Sequence, residues 1–378
     1  MITDAYKAAL LSPTRHQIYK IEWMDKDENI YDEITTDTLD GSISISLANG
    51  TRRSCSLSLK NNDFKFTPDR NGLVYIGKKF KLYSGLLIDG VEVFPDESIQ
   101  GVFNIANPIL QSNPASESIT IEGYDNFCLM NGNNSGVLEA VYVINIDTEI
   151  DDVVISVFAE AGIIKKPLID YSGSYTTVQY TITKEVGSTY EEILTDLANF
   201  NNQSFYFDVS GRPIFEDKVD ELNTYHSWVF DKTKDSFLNY QKNFDFVNVR
   251  NSVAVWGDNI NGDQAYSLAE DNGVLSQTSI SRIGKRTKVI TDTMITDDIL
   301  AYDRANYELK NATDCFEYVD IKCLNIDFLK EGDIILLNDP DNKIDFQRYI
   351  IRQISRSLGF NQEMSINATR VREVSTGT

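Results

Sequence analysis

Two neighbouring stretches alternate apolar and small polar side chains with period two, and this pattern most limits the folds open to the chain. Gly41 opens SISISLA, in which Ile43, Ile45 and Leu47 share one side and serines the other. After an Asn-Gly-Thr turn, Cys55, Leu57 and Leu59 repeat the alternation. Successive strand side chains point to opposite faces, so such runs between Asn/Gly turns predict antiparallel strands with one buried face. Upstream, Tyr19, Ile21 and Trp23 alternate with Lys20 and Glu22, MDKDEN turns the chain, and IYDEIT follows. KKFKLYSGLLI, VEVF, QGVFNIANPIL and SITIEGY continue the series, and helical periodicity is almost absent before Tyr124. Residues 1–125 are therefore expected to form a first β domain, a β-barrel or a sandwich.

The pattern then changes. Thr148 is placed to cap a helix whose first turn holds Glu149, Asp151 and Asp152, acids that favour the positive end of a helix dipole. Ile150, Val153, Val154, Val157, Phe158 and Ala161 form its apolar stripe, and Gly162 can end it. A second helix is expected from Ser188, with Glu191 completing a capping box and Tyr190, Ile193, Leu194, Leu197 and Ala198 facing inward. SFYFDV, a Ser210-Gly211 turn and RPIFE make a hairpin. This block, 126–240, reads as a small α/β domain.

From 241 to 378 strands return, at NSVAVWG, SQTSISRI, EYVDIKCL, GDIILL, FQRYIIRQIS and EMSINATRV. One helix, about 296–311, interrupts them: Thr296 caps it, Asp297 and Asp298 fill its first turn, and Ile299, Tyr302, Ala305 and Leu309 face inward. The fold class expected is α+β and β-rich, with two antiparallel strand-rich blocks flanking the α/β block. No residue-level repeat links the two β blocks.

Composition narrows the function. The 378 residues carry 35 Lys+Arg against 57 Asp+Glu, a formal charge of -22. Nucleic acids and anionic lipids need clustered Lys and Arg, and no run of them is long enough to make a basic patch. No specific nucleic-acid binding and no membrane insertion are expected, since no apolar run approaches the roughly 20 residues of a membrane span. The N-terminus, MITDAYKAALLSP, lacks a signal-peptide pattern, so synthesis in the cytoplasm is expected. Cys55, Cys128, Cys315 and Cys323 form no CxxC and read as buried thiols.

Signatures of chemistry are missing. His16 and His226 lie in different blocks, each without a clustered partner, so neither a zinc site nor a nucleophile–base pair is expected. No phosphate-binding glycine loop occurs. Asp25, Asp27 and Asn29 start like a calcium loop, but Ile30 replaces its glycine and Thr36 its bidentate acid. Asp339, Asp341 and Asp345 fail at Lys343. Both stretches read as hairpin turns. The sequence assigns no catalytic, cofactor-binding or metal-binding residue and no cofactor, and the expectation is a protein that is not an enzyme.

In order along the C-terminal third come a strand ending at Gly257, Arg282-Ile283-Gly284, a helix with Ala305, Gly332-Asp333 opening a strand, and Tyr349-Ile350 before the last hairpin. On these ordered pieces the C-terminal third resembles the baseplate hub proteins of contractile phage tails and tail-like particles, in particular the hub family of Gram-positive phages and prophages. Read physically, Gly257 and Gly284 are turn residues, Gly332-Asp333 a bend, and Ala305 a small residue at a close contact. The middle block matches by layout, with AEAGI closing a helix and a Ser-Gly turn in an aromatic hairpin. The first block matches by β pattern.

This resemblance implies a homotrimeric ring in the virion's tail baseplate, each chain giving two barrels, that adapts a hexameric tail tube to a trimeric spike. It implies as partners the tail tube or distal tube-initiator protein, the central spike protein and other baseplate components. A negative lumen would let DNA pass without sticking, whereas solubility alone also accounts for acidic surfaces. Two other classes fit the composition: a β-rich carbohydrate-active enzyme using a carboxylate pair, and a receptor-binding tail protein.

Overall fold

The computed structural model describes residues 2–371 except 13, 37–39, 49, 114–115, 173–174, 180, 201–202, 235–237, 261–262, 293–294, 315–316 and 360–362. The fold is α+β and β-rich, as expected. It divides into two compact units, each assembled from separated stretches of sequence. The first comprises Met1–Lys218, Cys323–Glu331 and Gln353–Ser365; the second comprises Val219–Lys322, Gly332–Arg352 and Ile366–Thr378.

The first unit opens with a helix that the sequence pattern did not reveal, α1 (Asp4–Leu10), capped by Thr3, whose hydroxyl accepts the Tyr6 amide at 3.2 Å. Eight strands follow: β1 (Gln17–Met24), β2 (Ile30–Thr36), β3 (Asp40–Ser46), β4 (Arg53–Lys60), β5 (Lys79–Ile88), β6 (Val91–Val93), β7 (Ile99–Asn113) and β8 (Ser116–Tyr124). They pair antiparallel in the order β3-β4-β8-β7-β5-β1-β2, and residues 353–357 add to the far side of β3. Ile43, Ile45, Cys55, Leu57 and Leu59 are buried, as the alternation predicts. β1 departs from it. Its polar face is covered too, because Tyr83 donates to Glu22 at 2.8 Å and Lys20 reaches the same carboxylate. The rings of Phe80 and Phe103 stack at 5.3 Å. They pack directly over Gly123, where a Cβ would stand 2.8 Å from Phe103.

The rest of the first unit is the α/β block: β9 (Tyr142–Ile144), α2 (Ile150–Glu160), β10 (Leu168–Asp170), β11 (Ile182–Lys184), α3 (Tyr190–Phe200), β12 (Gln203–Phe207) and β13 (Pro213–Asp217). The predicted helix stripes bury together: Ile150, Val153, Val154, Val157 and Phe158 of α2 with Ile193, Leu194, Leu197 and Ala198 of α3. Phe205, Phe207 and Phe215 of the hairpin close that core. Both caps differ from expectation. Glu149, not Thr148, is the residue before α2, and the Thr148 hydroxyl turns back to the Asn145 carbonyl at 2.7 Å. Thr189, not Ser188, accepts the amide of Glu192.

In the second unit β14 (His226–Asp231) and β15 (Asn239–Phe244) are followed by β16 (Ser252–Ile260) and β17 (Asp263–Glu270). Next come α4 (Ile280–Ile283), β18 (Thr287–Thr291), α5 (Asp298–Asp314), β19 (Glu317–Leu324), β20 (Ile334–Asp339), β21 (Ile344–Ser357) and β22 (Glu363–Arg370). One strand order runs β15-β19-β22-β21, with β20 on β21 and β14 parallel to β20. A separate sheet, β17-β16-β18, is covered by α5.

Three expectations fail in this unit. SQTSISRI is not a strand: Ser276 and Thr278 donate to the Asp271 carboxylate at 2.5 and 2.7 Å, which folds the stretch into turns leading to α4. The α5 cap is Asp297, which accepts the amides of Ile299 and Leu300, rather than Thr296. The helix also turns a different face inward. Leu300, Ala301, Ala305 and Leu309 are buried, whereas Ile299 and Tyr302 are 66% and 60% exposed. Gly257 is likewise no turn residue. It lies within β16, where a Cβ would come 2.1 Å from the Ile295 carbonyl oxygen.

Candidate functional site

The residues that set the first unit's architecture are charged and buried. Cys323–Glu331 comes from far along the chain, and polar contacts fasten it. The Tyr6 hydroxyl donates to Asp327 at 2.5 Å. Arg15 donates to the carbonyls of Leu10 at 3.0 Å and Asn325 at 2.9 Å. Arg356 donates to Gln100 at 2.6 Å and to the carbonyls of Ile326 and Leu329, while Gln100 donates to the Asp327 carbonyl at 3.0 Å. Burial pushes the Asp327 carboxyl above the usual carboxylate range, against the pull of Tyr6 and Arg356, and burial beside Asp327 raises the Tyr6 phenol. With Asp327 only 1% exposed, no substrate can reach this carboxylate, and the cluster acts as an anchor.

A second anchor joins β4 to the same segment. One terminal nitrogen of Arg53 donates to both carboxylate oxygens of Glu331, at 2.5 and 2.7 Å, and the other donates to the Phe207 carbonyl at 2.8 Å. Arg52 lies 3.7 Å from Glu331, its guanidinium against the Tyr206 ring at 3.4 Å. Asp125 stands beneath: it accepts the amides of Arg52 and Arg53 on one oxygen and of Phe127 on the other. Burial pushes its pKa up to about 6, against those hydrogen bonds.

The second unit carries an open groove of about 570 Å³ beside β15, lined by Lys232, Asn239, Tyr240, Lys242, Phe244, Asp339, Asn342 and Ile344. Tyr240 donates to Asp339 at 2.5 Å, and Asn342 donates to Asp339 at 2.8 Å and to the Tyr240 oxygen at 3.1 Å. These bonds hold the Asp339 carboxyl below its ordinary range, while burial and Asp339 push the Tyr240 phenol up to about 12. Lys242 pairs with Glu317 at 2.9 Å. Hydrolysis by a carboxylate pair needs two acids about 5 to 9.5 Å apart, one of them kept protonated. Among the described residues Asp339 is the single carboxylate lining this groove, and its hydrogen bonds lower its pKa.

The other sequence candidates stay apart. His16 belongs to the first unit and His226, exposed at the start of β14, to the second. Cys55, Cys128 and Cys323 are buried, and Cys315 lies outside the described residues. Among the described residues no group of three His, Cys, Asp or Glu side chains is placed to hold a metal ion. Asp25 accepts the amides of Asp27 and Asn29 and so builds the β1–β2 turn. Pro340–Asn342 and a left-handed Lys343 turn β20 into β21. Both acidic stretches are hairpin turns, as read from their spacing.

No protein-family model and no curated protein sequence matches the chain. Solved structures do, along nearly all its length. A tail protein from Neisseria meningitidis MC58 superposes with a TM-score of 0.64 at 12% identity, over 93% of this chain and 96% of that one. In fold, the chain is similar to solved tail proteins. The 43 kDa tail protein of prophage MuSo2 from Shewanella oneidensis gives 0.63 at 14% identity, covering 94% and 98%. A chain of the Francisella PdpA–VgrG complex gives 0.54 at 9% identity, with 96% of this chain covering 60% of that one.

Proposed function

We propose that this chain is a structural hub component of a phage-tail or tail-like baseplate, forming a homotrimeric ring that adapts a hexameric tube to a trimeric spike. The supporting observation is the match to tail proteins over more than nine-tenths of both chains, which includes both β-rich regions and the α/β block between them. On this reading residues 1–125 and 241–378 supply two tube-like barrels and 126–240 the outward α/β domain. Location in the virion, a contractile tail, membership of the Gram-positive hub family, and tube, spike and other baseplate proteins as partners belong to the same proposal. So does the lack of catalysis: the polar clusters described above are spent on fastening the chain to itself. DNA passes a lumen lined with acids, and no nucleic-acid contact is specific.

Light scattering over a range of concentrations, followed by negative-stain imaging with and without candidate tube and spike proteins, tests the reading. The expected result is a mass three times that of the chain, with threefold rings. A chain that forms no ring even with those partners overturns it.

A further inference from the structure

Folding gathers a basic, apolar face that the sequence hides. Buried Asn251 holds it together: its amide donates to the carbonyls of Thr278 at 2.9 Å and Gly284 at 2.8 Å, and its oxygen accepts the Arg286 amide at 2.7 Å. On this frame Arg282 donates to the Val274 carbonyl at 3.2 Å, and Arg286 to the Phe246 carbonyl at 2.5 Å. Arg250 donates to the carbonyls of Val247 and Val249. None of the three guanidiniums has a described carboxylate within 4 Å, although the chain carries 57 acidic residues. The nearby lysines differ, since Lys285 pairs with Glu270 and Lys288 with Glu308. Val274, whose carbonyl Arg282 holds, and Leu275 are each 83% exposed, with Val247 at 78% and Phe246 at 61%. Exposed apolar side chains beside arginines held in place are the composition of a protein interface.

The first unit presents the complement. On and beside β9, Val141, Val143 and Ile146 are about half exposed, and among them stand the exposed acids Glu139, Asp147 and Glu149. No described lysine or arginine lies within 4 Å of these three carboxylates.

We propose that the Arg282/Arg286 face of one copy docks head to tail on the Glu139/Asp147 face of a second copy. The inference rests on the ring reading above and adds the surfaces that close it. Two different patches on the same chain make a heterologous contact, which repeats around a ring when the rotation closes. Apolar contact supplies affinity, and the opposed charges fix the register.

The test reverses charge on each side and then on both. Arg282→Glu with Arg286→Glu, and separately Glu139→Lys with Asp147→Lys, should each raise the concentration needed for assembly roughly tenfold or more, because like charges then face each other. Combining all four should restore assembly towards the wild-type value. Unchanged far-UV circular dichroism and melting temperature show that the variants fold, and Leu275→Ser tests the apolar part without altering charge. Rings that persist unchanged in both reversed pairs, or no rescue in the combined variant, overturn this contact and leave the hub reading standing. A wild-type chain that stays monomeric from micromolar to millimolar concentration, or forms rings only with another protein seated on this face, also overturns the contact. The hub reading is then judged separately by co-assembly with tube and spike proteins.

Discussion

Arg53 and Glu331 stand 278 residues apart in sequence and face each other through two hydrogen bonds of 2.5 and 2.7 Å, both side chains almost wholly buried. Removing one partner strands the other charge away from water. Glu331→Gln is expected to lower the unfolding free energy by about 3–5 kcal/mol in urea titrations, and Arg53→Met with Glu331→Leu by much less.

Asp125 accepts three backbone amides, from Arg52, Arg53 and Phe127. Asp125→Ala leaves all three buried donors without their acceptor and should cost roughly 3 kcal/mol or more.

The same residue gives a pH signature. Its pKa is raised from 3.8 to about 6 in the folded protein, so the folded state binds the proton more tightly than the unfolded chain. Its contribution to stability is full below pH 4 and is lost as pH rises through about 6. Chemical denaturation between pH 4 and 7 should show this loss in the wild type and not in Asp125→Ala.

Tyr6→Phe removes the hydroxyl bonded to buried Asp327 at 2.5 Å. A hydrogen bond to a charged group is worth about 1.5–3 kcal/mol, and the melting temperature should fall accordingly. Hydrogen exchange of the Ile326–Leu329 amides should rise, since α1 no longer holds that segment.

Gly257→Ala places a methyl group 2.1 Å from the backbone oxygen of Ile295, an atom that cannot rotate away. Overpacking of this kind costs about 1–3 kcal/mol. The loss should appear in thermal melts, with hydrogen exchange speeding up in β16 and α5 before β4 and β8.

Period two was legible because strand geometry converts it directly into burial: Ile43, Ile45, Leu57 and Leu59 lie where their spacing puts them. The α2 and α3 stripes were legible for the same reason at a helical period. SISRI imitates that alternation, but Asp271 collects the preceding hydroxyls and wins the stretch for turns. In α5, hydrophobicity singles out Ile299 and Tyr302, while the sheet it covers needs small side chains and buries Ala301 and Ala305 instead. The buried pairs Arg53–Glu331 and Tyr6–Asp327 have no sequence signal at all, because lone charged and phenolic residues look alike on a surface and in an anchor. The Arg282/Arg286 face was missed because its members come from separate loops that Asn251 draws together.

The anchors of Cys323–Glu331 also set a timetable for the chain on the ribosome. When the first 218 residues have emerged, Tyr6, Gln100 and Arg53 still await Asp327, Arg356 and Glu331. The amino-terminal unit therefore cannot finish until Cys323–Glu331 and Arg356 have been made. A transcript cut short before residue 331 yields buried arginine without its acid, an unfinished product that cannot mature in place of the full-length chain.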